Sequence, residues 1–174
     1  MIIYFDIETV SDTENLWNFN MEKLEKKYGE KIKFAPEVSK IFTITVWTNT
    51  KDGRIIKNLE GSEEEQIKAF FKAIEGNIIC WFNIKAFDLP FIIKRALKHQ
   101  IDIPDCIKFF WKKPWEMENI IDLFEVYRNG VFWAIGSLDL VCNFLGITSP
   151  KDDNIDGGQV QRYFLSDRKF GFSL

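Results

Sequence analysis

Near its start this chain carries an apolar run, Ile2-Ile3-Tyr4-Phe5, that leads directly into Asp6-Ile7-Glu8-Thr9. The run predicts a buried strand. On an extended strand, residues two apart point to the same face. Asp6 and Glu8 therefore project together from the end of a core strand. Two carboxylates placed so repel each other and lose hydration, an arrangement that is costly unless a cation or a proton offsets it. All-oxygen sites of this kind suit Mg2+ or Mn2+. The other reading is a strand running out into solvated acidic residues, and the pair alone does not decide between them.

A second strand signal follows downstream. Ile78 to Phe82 is a continuous apolar run, as expected of a strand buried on both faces. Asn83 closes it. Asp88 comes two residues before Pro90, a residue favoured in the first turn of a helix. That helix is expected to run over 89–99, with Phe91, Ile92, Ala96 and Leu97 as its apolar residues. Asp88 then lies near a helix N-terminus, where a carboxylate is tolerated. Two carboxylates after one buried strand, and an Asn and an Asp after another, are placed to converge on one metal site.

The remaining pattern places these segments in an α/β sheet. A helix is expected over Met21–Tyr28, and a half-buried strand over Ile41–Thr48, with Gly53–Leu59 as its hairpin partner. Ser62 and Glu65 form a capping box ahead of the stripe Ile67, Phe70, Phe71 and Ile74, which Gly76 stops. Ile120–Leu123 reads as a short last strand. Ser137 caps a helix bearing Leu138, Val141, Cys142 and Leu145. Strands and helices in this order predict a mixed sheet with helices packed on its faces.

Composition narrows the class. The chain has 174 residues, enough for one domain with a real core, and 46% hydrophobic content with 17 Phe argues for a folded globule. Its 23 basic and 26 acidic residues give a net charge of −3, so it lacks the basic sheath that grips duplex DNA. Holding a few nucleotides of a single strand needs no such sheath. Cys80, Cys106 and Cys142 lie among apolar residues without metal-binding spacing, and read as reduced core thiols of a cytoplasmic protein. No apolar run approaches the roughly 18 residues of a membrane span. The single histidine, His99, reads as a helix-end residue.

Phe5-Asp6-Ile7-Glu8-Thr9 resembles the first motif of the DEDD 3'-5' exonucleases. Asn83-x-x-x-Phe87-Asp88-x-Pro90 is similar to the second motif as it occurs in the proofreading domains of family B DNA polymerases and in stand-alone exonucleases related to them. Ile121-Asp122-Leu123, Ser137-Leu138-Asp139-Leu140-Val141, Leu145-Gly146-Ile147 and Lys151 match further segments of such domains in order. The resemblance implies a ribonuclease H-like fold, with a mixed five-stranded sheet and helices on both faces, spanning residues 1–174 as one exonuclease-like domain. It implies metal-dependent hydrolysis at single-stranded DNA or RNA 3' ends, with two Mg2+ or Mn2+ ions. Asp6, Glu8 and Asp88 would be ligands, Asn83, Phe87 and Lys151 would contact nucleic acid, and Asp122 would be a secondary acid. The last motif of the family pairs a Tyr or His with an Asp. Tyr163 and Asp167 have the tyrosine form, although the interval after Lys151 is short. A rival reading is a chain that ends before that motif's helix, a non-catalytic or truncated nucleic-acid-binding module.

Two other segments carry weaker signals. Asp152-x-Asn154-x-Asp156-Gly157 begins like a calcium loop, but Tyr163 stands where its bidentate carboxylate should be. Phe109, Phe110, Trp111 and Trp115 interleave with Lys112 and Lys113, a pattern that suits either base stacking or a buried aromatic patch.

Overall fold

The computed structural model describes residues 1–149, except 15, 109–111, 114, 115 and 132. The calcium-like loop, Lys151, Tyr163, Asp167 and the four aromatics of 109–115 therefore lie outside the described residues. β1 (Ile2–Ser11) is central in a five-stranded sheet of order β3-β2-β1-β4-β5. β2 (Ser39–Thr50) pairs with it antiparallel and turns back into β3 (Gly53–Asn58). β4 (Ile78–Trp81) and β5 (Ile120–Asp122) continue the sheet on the other side in parallel. This is the mixed α/β sheet that the sequence predicts. The helices are α1 (Met21–Tyr28), α2 (Glu63–Ile74), α3 (Asp88–Lys98), α4 (Leu123–Arg128) and α5 (Leu138–Leu145).

β1 alternates as its pattern requires. Ile3, Phe5 and Ile7 are buried in the main core, and Tyr4, Asp6 and Glu8 take the opposite face. Phe5 meets Phe70 of α2 with ring centroids 4.7 Å apart, and Ile67, Phe71 and Ile74 complete that helix's buried stripe. The capping box at Ser62 and Glu65 starts α2 as expected. α3 differs from its sequence reading at one position. Leu97 is exposed, whereas Arg95 shares the buried face with Asp88, Leu89, Phe91, Ile92 and Ala96. Seven residues separate Asp88 from Arg95, two helical turns, so both lie on one stripe.

Two further differences set up the functional region. Asp6 and Glu8 do not end their strand, because β1 continues to Ser11. What ends is the parallel pairing with β4, which covers only Ile2 to Tyr4. The β1–β2 register also shifts between Glu8 and Thr9, leaving Phe42 as an extra residue on β2. Such a bulge breaks the ladder locally and re-aims neighbouring side chains. Side chains of α2 stabilise it. The buried Gln66 accepts from the Ile44 N–H and donates to the Phe42 and Gly61 carbonyls, and Glu63 accepts from the Ile41 N–H.

At the far edge, Phe82 packs against Phe124 of α4, and Tyr127 of α4 meets Phe144 of α5. Cys80, Cys106 and Cys142 are free thiols, and burial pushes those of Cys80 and Cys106 up. Among the described residues, no helix is long and apolar enough to cross a membrane.

Gln66→Leu conserves bulk but removes three hydrogen bonds, two to β2 around the bulge and one to the Gly61 carbonyl. Buried backbone groups left unsatisfied cost about 1–3 kcal/mol each. We expect a loss of about 2–4 kcal/mol in stability, read from the urea midpoint. A midpoint equal to that of the parent chain would show that water or relaxation replaces these bonds.

Candidate active site

The rim at the carboxyl ends of β4 and β5 is built by two buried aspartates. Asp122 ends β5 and caps α4, accepting from the Phe124 N–H at 2.9 Å. It also accepts from the N–H groups of Asn83 at 2.8 Å and Lys85 at 3.0 Å. These bonds tie the loop after β4 to the end of β5. Asn83 sits there with φ of +62°, a left-handed conformation that Asn tolerates better than most residues. Its carbonyl accepts from the Ala86 and Phe87 N–H groups and closes the turn into α3. Phe87 directly precedes that helix, and its half-buried ring packs on Phe91 and the core. Lys85 pairs with Glu125 of α4 at 2.7 Å. The sequence placed Asp122 near the end of a short last strand, the resemblance made it a secondary acid, and the structure gives it three backbone donors.

Asp88 is buried to the same degree with different neighbours. It is the first residue of α3, and it accepts from the backbone N–H of Ile7, the residue between Asp6 and Glu8. Burial is the main cause that drives its carboxyl up to about 8, and the nearby charge of Asp6 adds to it. Its own N–H and that of Ile7 oppose the shift, and the charge of Asp122 contributes further. The structure thus brings Asp6 and Asp88 together across 82 residues of sequence, with Ile7 fixing the contact. Glu8 is half-buried one pleat further along β1, beside the bulge.

Among the described residues, no group of three or more His, Cys, Asp or Glu side chains is arranged to hold a metal ion. The donor chemistry nevertheless fits a hard divalent cation. It offers carboxylate oxygens only, one of them buried against the charge of another, and a cation would relieve that repulsion.

Sequence reasoning missed a buried ionic cluster behind this rim. Arg95 and Asp12 are each 1% exposed. Arg95 forks onto both carboxylate oxygens of Glu63, at 2.8 and 2.6 Å, and onto Asp12 at 3.1 Å. The Pro36 carbonyl takes its remaining N–H. Lys98 reaches Asp12 at 2.6 Å, and His99 reaches Glu63 at 2.7 Å. His99 is thus the helix-end residue its position suggests, with a partner in the cluster. The available signal was Arg95 on the apolar stripe of its helix, where a charge implies buried partners.

A central strand flanked by antiparallel β2 and parallel β4, with acids gathered where the parallel pairing ends, defines a ribonuclease H-like protein. The chain belongs to the RNase H superfamily, whose family model matches residues 29–166. That span includes Asp88 and Asp122 and begins after β1, so Asp6 and Glu8 lie outside it. Among solved structures, the chain is similar to the family B DNA polymerase of the hyperthermophilic archaeon Pyrobaculum calidifontis. The TM-score is 0.58 at 17% identity, over 93% of this chain and 20% of the polymerase chain. At that identity the likeness is one of fold, and the chain spans about a fifth of the polymerase's length. No curated protein matches it.

Asp88 predicts a pH dependence. Its folded value of about 8 lies above the ordinary 3.8, so the folded chain binds the extra proton between those limits. This contribution to stability is full below the unfolded value and is lost as pH rises through about 8. Asp88→Asn stays neutral and keeps an acceptor for Ile7. In chelator, we expect it to be more stable than the parent at pH 8.5, by on the order of 2–4 kcal/mol, and nearly equal at pH 4. Added Mn2+ should stabilise the parent and leave the variant unchanged. Equal urea midpoints at both pH values would remove the repulsion from this account.

Proposed function

We propose that this chain is a metal-dependent nuclease that removes nucleotides from single-stranded DNA or RNA 3' ends. The observation that carries the reading is Asp88, buried beside Asp6 and pinned to the β1 backbone between Asp6 and Glu8. The RNase H superfamily membership and the fold-level likeness to a DNA polymerase support it. Asp6, Glu8 and Asp88 would hold Mg2+ or Mn2+, with Asp167 as a further ligand and Tyr163 near the attacking water. Divalent ions held there would lower the pKa of water and stabilise the departing 3' oxygen.

The protein's own groups have distinct tasks in this reading. Asp88 would have to give up its proton to serve as a metal ligand, so metal affinity would rise as pH approaches 8. The Ile7 N–H keeps the ionised carboxylate aimed at β1. Asp122 holds the loop of Asn83 and Lys85 in place without joining the chemistry. Asn83, Phe87 and Lys151 would contact the strand end. The slightly acidic net charge disfavours a duplex grip built on many phosphate contacts.

A single strand labelled at its 5' end tests this. With Mn2+ it should give a ladder of progressively shorter labelled products, and chelator should abolish the ladder. Asp6→Ala should lower kcat by at least about a hundredfold, the loss of roughly 2.7 kcal/mol of transition-state stabilisation. Asp167→Ala should also slow it if Tyr163 and Asp167 form the last motif. Immediate release of the labelled 5' nucleotide would mean the opposite polarity. Strand binding with no hydrolysis at all would leave a non-catalytic nucleic-acid-binding module.

A further inference from the structure

The buried ionic cluster has no part in the chemistry above, yet it joins the elements that carry the carboxylates. Asp12 directly follows β1, Glu63 opens α2, and Arg95 lies two turns after Asp88 on α3. We propose that Arg95, through Asp12 and Glu63, is a positioning residue for the carboxylate site, fixing where α3 lies along β1 and hence where Asp88 meets Asp6. This rests on the reading of Asp6, Glu8 and Asp88 as the metal-binding site.

The apolar contacts of α3 set its distance from the sheet better than its position along it. Leu89, Phe91, Ile92 and Ala96 face a core of similar side chains, and such surfaces tolerate repacking when volume is kept. The guanidinium does not tolerate it. Every N–H of Arg95 has an acceptor on one of three separate segments. A slip of one residue moves a helix by about 1.5 Å along its axis, enough to break bonds of 2.6–3.1 Å. Two pins therefore hold α3 on β1, Asp88 on the Ile7 N–H and Arg95 on Asp12. Along α3 the pins are about 10.5 Å apart, and along β1 about 16 Å. The long Arg95 side chain spans the difference.

The same cluster reaches the bulge. The Glu63 oxygen that accepts from Arg95 Nε also accepts from the Ile41 N–H at 2.7 Å, across the shifted register from Thr9. The strand segment that carries Glu8 and the helix that carries Asp88 thus share one set of charges. An ionic cluster of this kind contributes little net stability for its desolvation, and its value lies in admitting one arrangement.

The test uses two variants of the full chain. Arg95→Lys keeps the charge and loses the fork. Asp12→Leu/Glu63→Gln/Arg95→Met replaces the three buried charges with neutral groups and leaves an acceptor for Ile41, a replacement expected to retain the fold. Hydrogen exchange then reads the Ile7 amide against the other amides of β1. We expect Ile7 protection to fall about tenfold relative to them in both variants. With Mn2+ and a single strand, kcat should fall about tenfold while KM stays within about twofold. A folded triple variant with Ile7 protection and kcat unchanged would overturn the proposal and leave the cluster a purely structural one. Loss of Ile7 protection with kcat intact would overturn it as well. A parent chain without hydrolytic activity would sink the nuclease reading instead, and the Ile7 exchange ratio would still decide whether Arg95 sets the register.

Discussion

The parallel pairing of β1 with β4 ends at Tyr4, while β1 runs on to Ser11, and the rest of the site follows from that mismatch. A strand that loses its neighbour leaves backbone groups that must find other partners. The Ile7 N–H finds the carboxyl of Asp88, delivered by a helix that begins where the loop after β4 turns back. One backbone requirement thus brings a third carboxyl group to a strand that already carries Asp6 and Glu8. Because Asp88 is buried, its neighbour's charge acts on it with little screening.

Asp88 and Asp122 show how environment separates two aspartates that are nearly equally buried on one rim. Asp122 accepts three backbone N–H groups, which tie a loop, a strand and a helix together. Asp88 has fewer donors, so burial first and then the charge of Asp6 oppose its ionisation. Burial alone distinguishes neither role. What differs between the two is the count of donors set against neighbouring charges.

The cluster around Arg95 follows the same logic on a larger scale. A buried guanidinium is tolerated only with its donors filled, and here two carboxylates and a carbonyl fill them. Lys98 and His99 complete the balance at the solvent edge. The cluster closes the end of the core opposite the loop of Asn83, so α3 is held by polar contacts at both ends and by apolar packing between them.

Local pattern alone determined most of the elements. The apolar run into Asp6, the capping box at Ser62, the stripe of Ile67, Phe70, Phe71 and Ile74, and Pro90 after Asp88 each act within a few residues, where propensity and periodicity operate. Asp6 and Glu8 stood out as acids that follow an apolar run, and Asp88 as an acid at the start of a helix ahead of Pro90, whereas their reading as one site came from the motif resemblance. Tertiary structure alone decided that Arg95 and not Leu97 faces the core, that Phe42 forms a bulge, and that Asp122 is a backbone acceptor. Each of these depends on partners far away in sequence: Asp12 lies 83 residues before Arg95, and Asn83 lies 39 before Asp122. A charge on an apolar stripe shows in a sequence only as an exception to its pattern. Which acceptor satisfies it depends on how the strands and helices are assembled.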